Sequence, residues 1–142
     1  MLTYVSVGVD DMDKARRFYM SFMPTLGYGM TESHEGLSFV LPPPPEAAND
    51  PSKLPPEFYV KPPFDGKPAS SGNGTMIAFE ARNQQQVREL HAAGLAAGGS
   101  DEGGPGFRDA YGPRFYVAYF RDPQGNKFAI YSSNPAEPGR DD

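Results

Sequence analysis

The first twenty residues combine a strand pattern with a helix pattern. Between positions 4 and 9, valines alternate with polar or small residues, which predicts a strand with two different faces. Asp10 and Asp11 then offer carboxylates to the free amides that open a helix. Apolar residues next recur every three or four positions, which predicts an amphipathic helix over 11–23. These apolar positions are Met12, Ala15, Phe18 and Phe22.

The same pattern returns after a shift of 72 residues. The segment that begins at Met76 aligns with the segment that begins at Tyr4, and Asn83 takes the place of the first helix cap. Few letters are identical, but the cap, the apolar positions and the terminating glycine agree without a gap. This repeat predicts a second strand over 75–81 and a second helix over 83–97.

Further short alternating segments follow each helix. Those of the second half form a hairpin turned by Asp122-Pro-Gln-Gly125, a typical turn sequence. The glycine-rich segment 98–113 is predicted to be irregular, with a short strand at its centre. The other predicted strands are 28–33, 37–41, 57–61, 115–121 and 126–132.

Each half is thus a strand, a helix and up to three more strands, and neither half can bury its sheet alone. We therefore predict an α+β fold in which two βαβββ modules form a curved eight-stranded sheet. The helices would cover its convex side and a cleft would open on its concave side. One domain over 1–133 would consist of module one (1–61), a connector (62–73) and module two (74–133), followed by a frayed polar tail (134–142).

Composition narrows the setting. The chain has 142 residues, no cysteine and a net charge of −5. The absence of cysteine excludes disulfides and thiolate metal sites, and with a first strand at the very start of the sequence it predicts a cytoplasmic protein. The negative charge argues against nucleic acid or an anionic membrane as a partner. Seven prolines between 41 and 56 predict an extended surface loop.

Three motifs resemble the vicinal oxygen chelate superfamily, which contains glyoxalases, bleomycin-resistance proteins and extradiol dioxygenases. V-x-V-x-D-x-x-x-A-x-x-F-Y opens the chain, Gly-Asn-Gly-Thr precedes the second-half strand, and F-x-D-P-x-G-N forms the last turn. The resemblance covers nearly the whole chain, and the connector is similar to that of small bacterial lactoylglutathione lyase-like members. It implies the glyoxalase/bleomycin resistance fold and a homodimer that covers exposed sheet edges.

The resemblance also implies metal-ligand positions on the first and last strands of each module. Three of them fall on Tyr4, Met76 and Ala129, and the 72-residue shift from Ala129 gives Glu57 as the fourth. A phenol, a thioether and a methyl group do not replace histidine and glutamate around a hard divalent ion. We therefore predict no metal and no cofactor.

Strand alternation predicts which side chains line the cleft. Pairing across the last turn sets Ala118 opposite Ala129 and Tyr116 opposite Tyr131. This lining favours a flat or apolar ligand, although the same side chains can instead pack together and fill the cleft. The predicted cleft residues are Tyr4, Ser6, Tyr59, Met76, Ala78, Arg114, Tyr116, Ala129 and Tyr131.

Charged residues near this cleft are the remaining candidates. Glu80 is the candidate general base. Arg108 and Arg114, with Asp109 and Tyr111, fall near the predicted mouth, where an arginine would pair with a substrate carboxylate or belong to an ordinary solvated loop.

Neither histidine is placed for catalysis. His34 lies in a hairpin turn, where a solvent-facing role is expected, and His91 lies on the second helix, where a structural role is expected.

Two functions follow. The first is a metal-independent protein of the bleomycin-resistance type that binds a small aromatic or apolar molecule. The alternative is a lactoylglutathione lyase-like or related enzyme whose metal has moved or been lost, because isomerising a hemithioacetal needs a Lewis acid.

Overall fold

The computed structural model describes residues 1–142 and contains two α-helices and eight β-strands. Every helix and strand predicted from the sequence is present, and the largest boundary difference is at the end of the first helix, which stops at Met20 rather than 23. The elements are β1 (Tyr4–Gly8), α1 (Met12–Met20), β2 (Gly29–Ser33), β3 (Gly36–Val40), β4 (Glu57–Lys61), β5 (Met76–Glu80), α2 (Gln84–Ala96), β6 (Ser100–Phe107), β7 (Tyr116–Arg121) and β8 (Lys127–Ser132).

The strands form two four-stranded sheets with the same connectivity. Module one has the order β1-β4-β3-β2 and module two the order β5-β8-β7-β6. In each module the first and last strands pair in parallel and the other pairs are antiparallel. The α+β class and the two βαβββ modules are confirmed, but no strand pair joins the two sheets into one eight-stranded sheet.

The 72-residue register is also confirmed for the first strand and the helix of each module. The carboxylate of Asp11 accepts a hydrogen bond from the Lys14 amide at 3.0 Å, and the Asn83 side chain accepts one from the Gln86 amide at 2.8 Å. Each cap satisfies an amide that a helix N-terminus otherwise leaves free. The same sequence device therefore starts both helices.

One aromatic core is shared by the two modules. Twenty buried residues from both sheets and both helices form a single cluster. Phe58 of β4 lies 5.4 Å from Phe79 of β5 and 5.8 Å from Phe128 of β8, measured between ring centroids. Because these inner faces fill the core together, the outer face of each sheet is left open.

The last turn fastens module two to module one. The buried Asp122 carboxylate accepts hydrogen bonds from the Tyr19 hydroxyl, the amide of Gln124, and the amide and side chain of Asn126. Asn126 also donates to the carbonyl oxygen of Gly8 at 3.0 Å. Burial, and next the Asp122 charge, raise the pKa of Tyr19 well above its ordinary value. The D-P-x-G-N motif is thus a structural joint.

Two segments lie outside the sheets, the proline-rich loop and the C-terminal tail. The proline-rich loop is a surface segment, as expected, and it contains short 3-10 turns at Pro45–Ala48 and Pro51–Lys53. The tail, in contrast, does not fray. Its Glu137 carboxylate accepts a hydrogen bond from the first amide of α2, that of Gln84, at 2.8 Å.

No helix in the chain has both the length and the apolar composition that a membrane span requires.

Candidate functional site

The predicted cleft residues divide between two separate surfaces, which we call face one and face two. They are the outer faces of the module-one and module-two sheets. Cavities that contain Tyr4 are lined by module-one and connector residues, whereas the cavity that contains Met76 is lined by residues from 72 to 127. In a single chain these residues therefore lie on two faces rather than in one cleft. Face one carries Tyr4, Ser6 and Tyr59, and face two carries Met76, Ala78, Ala129 and Tyr131.

Tyr116 does not belong to either face. It pairs with Ser132 rather than Tyr131, is 8% exposed, and receives a hydrogen bond from Arg88 of α2 at 3.1 Å. The prediction failed because Asn126 is part of the turn, where its carbonyl accepts a hydrogen bond from the Asp122 amide at 2.9 Å. One additional turn residue shifts the register by one and reverses every side chain of β7.

The same shift brings Tyr119 to face two, where it pairs with Ala129. Tyr119 was not among the predicted cleft residues. The asparagine directly after Asp-Pro-x-Gly is the feature of the sequence that indicates this register, because side-chain amides and carboxylates extend such turns. Ala118 accordingly packs in the core and does not line a cleft.

Arg114 does not line any of the principal cavities. Its guanidinium donates to the carbonyl oxygens of Pro135 and Glu137 at 3.3 and 2.6 Å and lies 3.7 Å from the Asp142 carboxylate. It therefore holds the tail. Arg108, Asp109 and Tyr111 do reach the surface of face two, as expected for residues near a cleft mouth.

Face two contains the largest of the principal cavities, with a volume of about 710 Å³. It lies between β5, β6, β7 and the segment before β5. Its lining combines exposed apolar or aromatic side chains with cations. Those that matter chemically are Met76, Arg108, Tyr111, Tyr119, Arg121 and Lys127.

A glycine-rich bulge in β6 makes room for Arg108. The pairing of β6 with β7 shifts register on both sides of Gly103, so the strand is longer but less regular than predicted. A Cβ at Gly103 would meet both Arg108 Nη2 and Tyr119 Cδ2 at 3.1 Å, and its φ is +151°. Only glycine fits both the close approach and this backbone conformation.

Arg108 is held by uncharged partners. Its guanidinium donates to the carbonyl oxygens of Gly104, Gly106 and Phe107 at 2.8, 3.1 and 3.3 Å, and it lies 5.5 Å from the centre of the Tyr119 ring. Its position is fixed while its charge is not neutralised by a carboxylate.

Lys127 approaches the same tyrosine, with its ammonium 5.4 Å from the ring centre. Burial raises the pKa of Tyr119, and the neighbouring Tyr111 hydroxyl adds to the increase. Arg121 differs from the other two cations, because the Glu102 carboxylate pairs with it at 2.5 Å.

The rest of face two is a row of rings over small residues. Tyr111, Phe115 and Tyr131 follow one another, with centroids 5.7 and 5.1 Å apart. Ala129 is 1% exposed, so this part of the face is packed, as the alternative of a filled cleft anticipated. Open space remains beside Met76 and Tyr111, which are 45% and 51% exposed.

The C-terminal tail supports the segment that carries Arg108 and Tyr111. Arg140 donates to the carbonyl oxygens of Arg108, Asp109 and Tyr111 at 2.9, 3.3 and 3.0 Å. Its amide donates to the Pro113 carbonyl at 2.7 Å. The tail is therefore part of the structure that shapes the site.

Each cavity of face one is smaller than the cavity of face two. The rings of Tyr4 and Tyr59 meet at 5.6 Å, and the Tyr59 hydroxyl donates to Glu57. That hydrogen bond, followed by burial, raises the pKa of Tyr59. The two cavities beside these rings have volumes of about 270 and 570 Å³ and include Lys61 in both linings.

The side chains at the implied ligand positions do not fit a metal ion. The strand register makes Tyr59, rather than Glu57, the counterpart of Ala129, because each is the second residue after the one paired with Tyr4 or Met76. Two phenols, a thioether and a methyl group are poor donors for a hard divalent ion. No cluster of three or more histidine, cysteine, aspartate or glutamate side chains is placed to hold one.

The other candidates lie apart from the cavity of face two. Glu80 pairs with Tyr131 at the end of β5 and lines a different groove, which has a volume of about 530 Å³. His34 is exposed in its turn. His91 is 6% exposed, with Nε2 3.1 Å from Asp101 Oδ1 and the Phe120 ring beside it. This agrees with its predicted structural role.

Comparison with known proteins identifies the fold. The family model of the Glyoxalase/Bleomycin resistance protein/Dioxygenase superfamily matches residues 2–130. A crystal structure of a glyoxalase/bleomycin resistance protein from Albidiferax ferrireducens T118 is 34% identical, with a TM-score of 0.74 and coverage of 93% of this chain and 98% of that chain. A comparison with curated proteins gave no match.

More distant structures share the fold. A glyoxalase-related enzyme from Fulvimarina pelagi is 18% identical, with a TM-score of 0.66 over 97% of this chain and 91% of that chain. A glyoxalase/bleomycin resistance protein/dioxygenase family enzyme from Burkholderia phytofirmans PsJN is 20% identical, with a TM-score of 0.62 over 92% and 97%. The match of the family model over most of the chain, together with the Albidiferax structure, confirms the resemblance read from the motifs. The chain belongs to the Glyoxalase/Bleomycin resistance protein/Dioxygenase superfamily.

Proposed function

We propose that this protein binds a small planar aromatic molecule on face two without the help of a metal. The observation that carries the proposal is the cavity of about 710 Å³, whose open side presents the Tyr111 ring and the Met76 thioether beside ordered cations. Aromatic and thioether surfaces hold flat ligands through their faces, and a few polar groups set the orientation.

The proposal favours binding over lyase chemistry because of the donor set. Isomerisation of a hemithioacetal needs a Lewis acid at the enediolate oxygens. Tyr4, Tyr59, Met76 and Ala129 provide no such binding site, and Glu80, the candidate base, lines a different groove. A lactoylglutathione lyase-like activity therefore has no supporting arrangement of side chains on this chain.

We also propose that the protein is a homodimer. Exposed apolar residues at the start of the chain support this, since Met1, Leu2 and Tyr4 are 83%, 63% and 61% exposed. The edge strands β1, β2, β5 and β6 have one unpaired side each, and a second copy would cover such edges. Sedimentation that gives a monomer mass at micromolar concentration would contradict this part of the proposal.

A thermal-shift screen of planar aromatic compounds tests the binding function, because a ligand of the folded state raises the melting temperature. Tyr111→Ser should abolish the shift, since it removes the open ring of face two. Phe64→Ser is the matched control, because Phe64 is a fully exposed ring in the connector. Equal shifts in wild type and Tyr111→Ser, or no shift with any compound, would count against the proposal.

A further inference from the structure

We propose that the ligand of face two is an aromatic carboxylate, with its carboxylate beside Arg108 and Lys127 and its ring against Tyr111 and Met76. This inference rests on the proposed function and specifies its ligand class. It follows from the charges that surround Tyr119, which the family membership does not assign.

The first step is that two cations, Arg108 and Lys127, approach the Tyr119 ring without forming an ion pair with a carboxylate. Arg108 and Lys127 lie 5.5 and 5.4 Å from the centre of the Tyr119 ring. Neither takes part in any of the six ion pairs of the chain. Both also line the cavity that contains Met76 and Tyr111, so an anion bound there would be attracted by both charges.

The second step is that Arg108 is positioned in advance. Three backbone carbonyls and the Tyr119 ring hold its guanidinium, and the bulge at Gly103 leaves space for it. Because this arginine is already ordered, little side-chain entropy remains to be lost when a carboxylate binds.

The third step concerns the acidic residues nearby. Glu102 is engaged by Arg121 at 2.5 Å, so it does not neutralise Lys127 or Arg108 through a direct pair. Asp109 also lines the cavity and takes part in no ion pair, while Arg140 donates to its backbone carbonyl oxygen at 3.3 Å. The lining therefore has three cations against two acids, and it keeps a net positive charge.

The fourth step is the location of the apolar part of the ligand. The two cations already cover the Tyr119 ring, whereas Tyr111 and Met76 remain 51% and 45% exposed in the same cavity. A ring against those two side chains would bring an attached carboxylate toward the cations. An aromatic carboxylate therefore satisfies both halves of the cavity.

The test is a titration calorimetry comparison of three probes with one ring system and different charges: 1-naphthoate, 1-naphthamide and 1-naphthylmethylammonium. The carboxylate should bind about tenfold or more tightly than the amide, because a charge-assisted hydrogen bond is roughly twice as strong as a neutral one. The ammonium should bind most weakly, and added salt should weaken the binding of the carboxylate alone.

Lys127→Gln locates the effect. It should reduce the affinity for 1-naphthoate about tenfold and leave that for 1-naphthamide nearly unchanged. Lys14→Gln removes the same charge from the exposed surface of α1 and should change neither affinity. If the amide binds as tightly as the carboxylate, the charge inference is overturned while the binding function survives. If none of the three probes binds, the proposed function fails as well.

Discussion

The two outer faces occupy equivalent places in a repeat, yet they differ in charge and in the size of their cavities. Tyr4 pairs with Glu57 on face one, and Met76 pairs with Lys127 on face two, so equivalent positions carry opposite charges. Two residues further along, Tyr59 corresponds to Ala129. The cavities beside Tyr4 on face one have volumes of about 270 and 570 Å³, whereas the cavity beside Met76 and Tyr111 on face two has a volume of about 710 Å³.

The inner faces of the same strands remain alike. Val5 and Val7 of β1 pack with the core as Ile77 and Phe79 of β5 do, and both helices begin with a side-chain cap. A repeat can keep its core pattern because burial demands it, while the outer positions are free to change. The difference between the faces therefore points to the place where function has diverged.

The largest expected effect comes from breaking the joint between the modules. Asp122→Ala would leave the Tyr19 hydroxyl, the Asn126 side chain and two amides without their acceptor. The free energy of unfolding should fall by about 3 kcal/mol or more. Urea denaturation at fixed protein concentration measures this. Asp13→Ala, which removes an exposed acid paired with Arg16 on α1, should cost less than about 1 kcal/mol, and equal losses would contradict the proposed joint.

The same joint predicts a loss of stability at alkaline pH. Because the folded state raises the pKa of Tyr19, the folded protein keeps this proton when the unfolded chain releases it. The contribution is complete below the unfolded value of about 10 and falls as pH rises, by at most about 1.4 kcal/mol per pH unit. Tyr19→Phe should show a shallower decline between pH 10 and 11 in urea denaturation, and an unchanged slope would contradict the assignment.

A smaller effect is expected from filling the bulge on face two. Gly103→Ala places a methyl group 3.1 Å from Arg108 and Tyr119 at a φ of +151°. It should cost about 1–3 kcal/mol of stability and displace Arg108, which weakens binding of 1-naphthoate. Gly104→Ala is the matched control, because a Cβ there meets nothing within 4 Å. Denaturation and calorimetry on both variants should separate them, and similar behaviour would refute the role of the bulge.

The comparison also shows how far the sequence predicts this molecule. Periodicity and caps predicted both helices and seven of the eight strands, because the buried stripe of each element is local in sequence, whereas β6 was predicted only as a short strand in an irregular segment. The β7 register was missed by one residue, since that depended on whether Asn126 belonged to the turn or the strand. The individual contacts of the shared core were not predicted, because no pattern within β4 indicates that Phe58 will contact β5 and β8.

The candidate site was harder to predict than the fold. Alternation alone predicts Met76, Ala78 and Ala129 on one face of module two, and the strand pairing has them on one face. Tyr119 and Lys127 were not predicted as site residues. Their place beside Arg108 depends on the glycine bulge of β6, which no strand pattern indicates. The role of Arg140 could not be predicted either, because its partners are backbone carbonyls, which every residue possesses.

The smallest expected effect concerns that tail residue. Arg140→Gln removes hydrogen bonds to the segment that carries Arg108 and Tyr111, so the segment should become more mobile. The loss of stability should be about 0.5–1.5 kcal/mol, while affinity for 1-naphthoate falls several-fold. Hydrogen exchange of residues 108–113 measures the mobility directly, with Lys53→Gln in the proline-rich loop as the control. Unchanged exchange would show that the tail does not support the site.

The most direct test of a metal-independent site on face two is NMR chemical-shift mapping of 1-naphthoate on chelator-treated protein. We predict that the perturbed signals cluster at Met76, Arg108, Tyr111, Tyr119 and Lys127, and that adding Zn²⁺ or Ni²⁺ changes neither their positions nor the affinity. Perturbations confined to Tyr4, Ser6 and Tyr59, or binding that appears only after metal is added, would contradict the account.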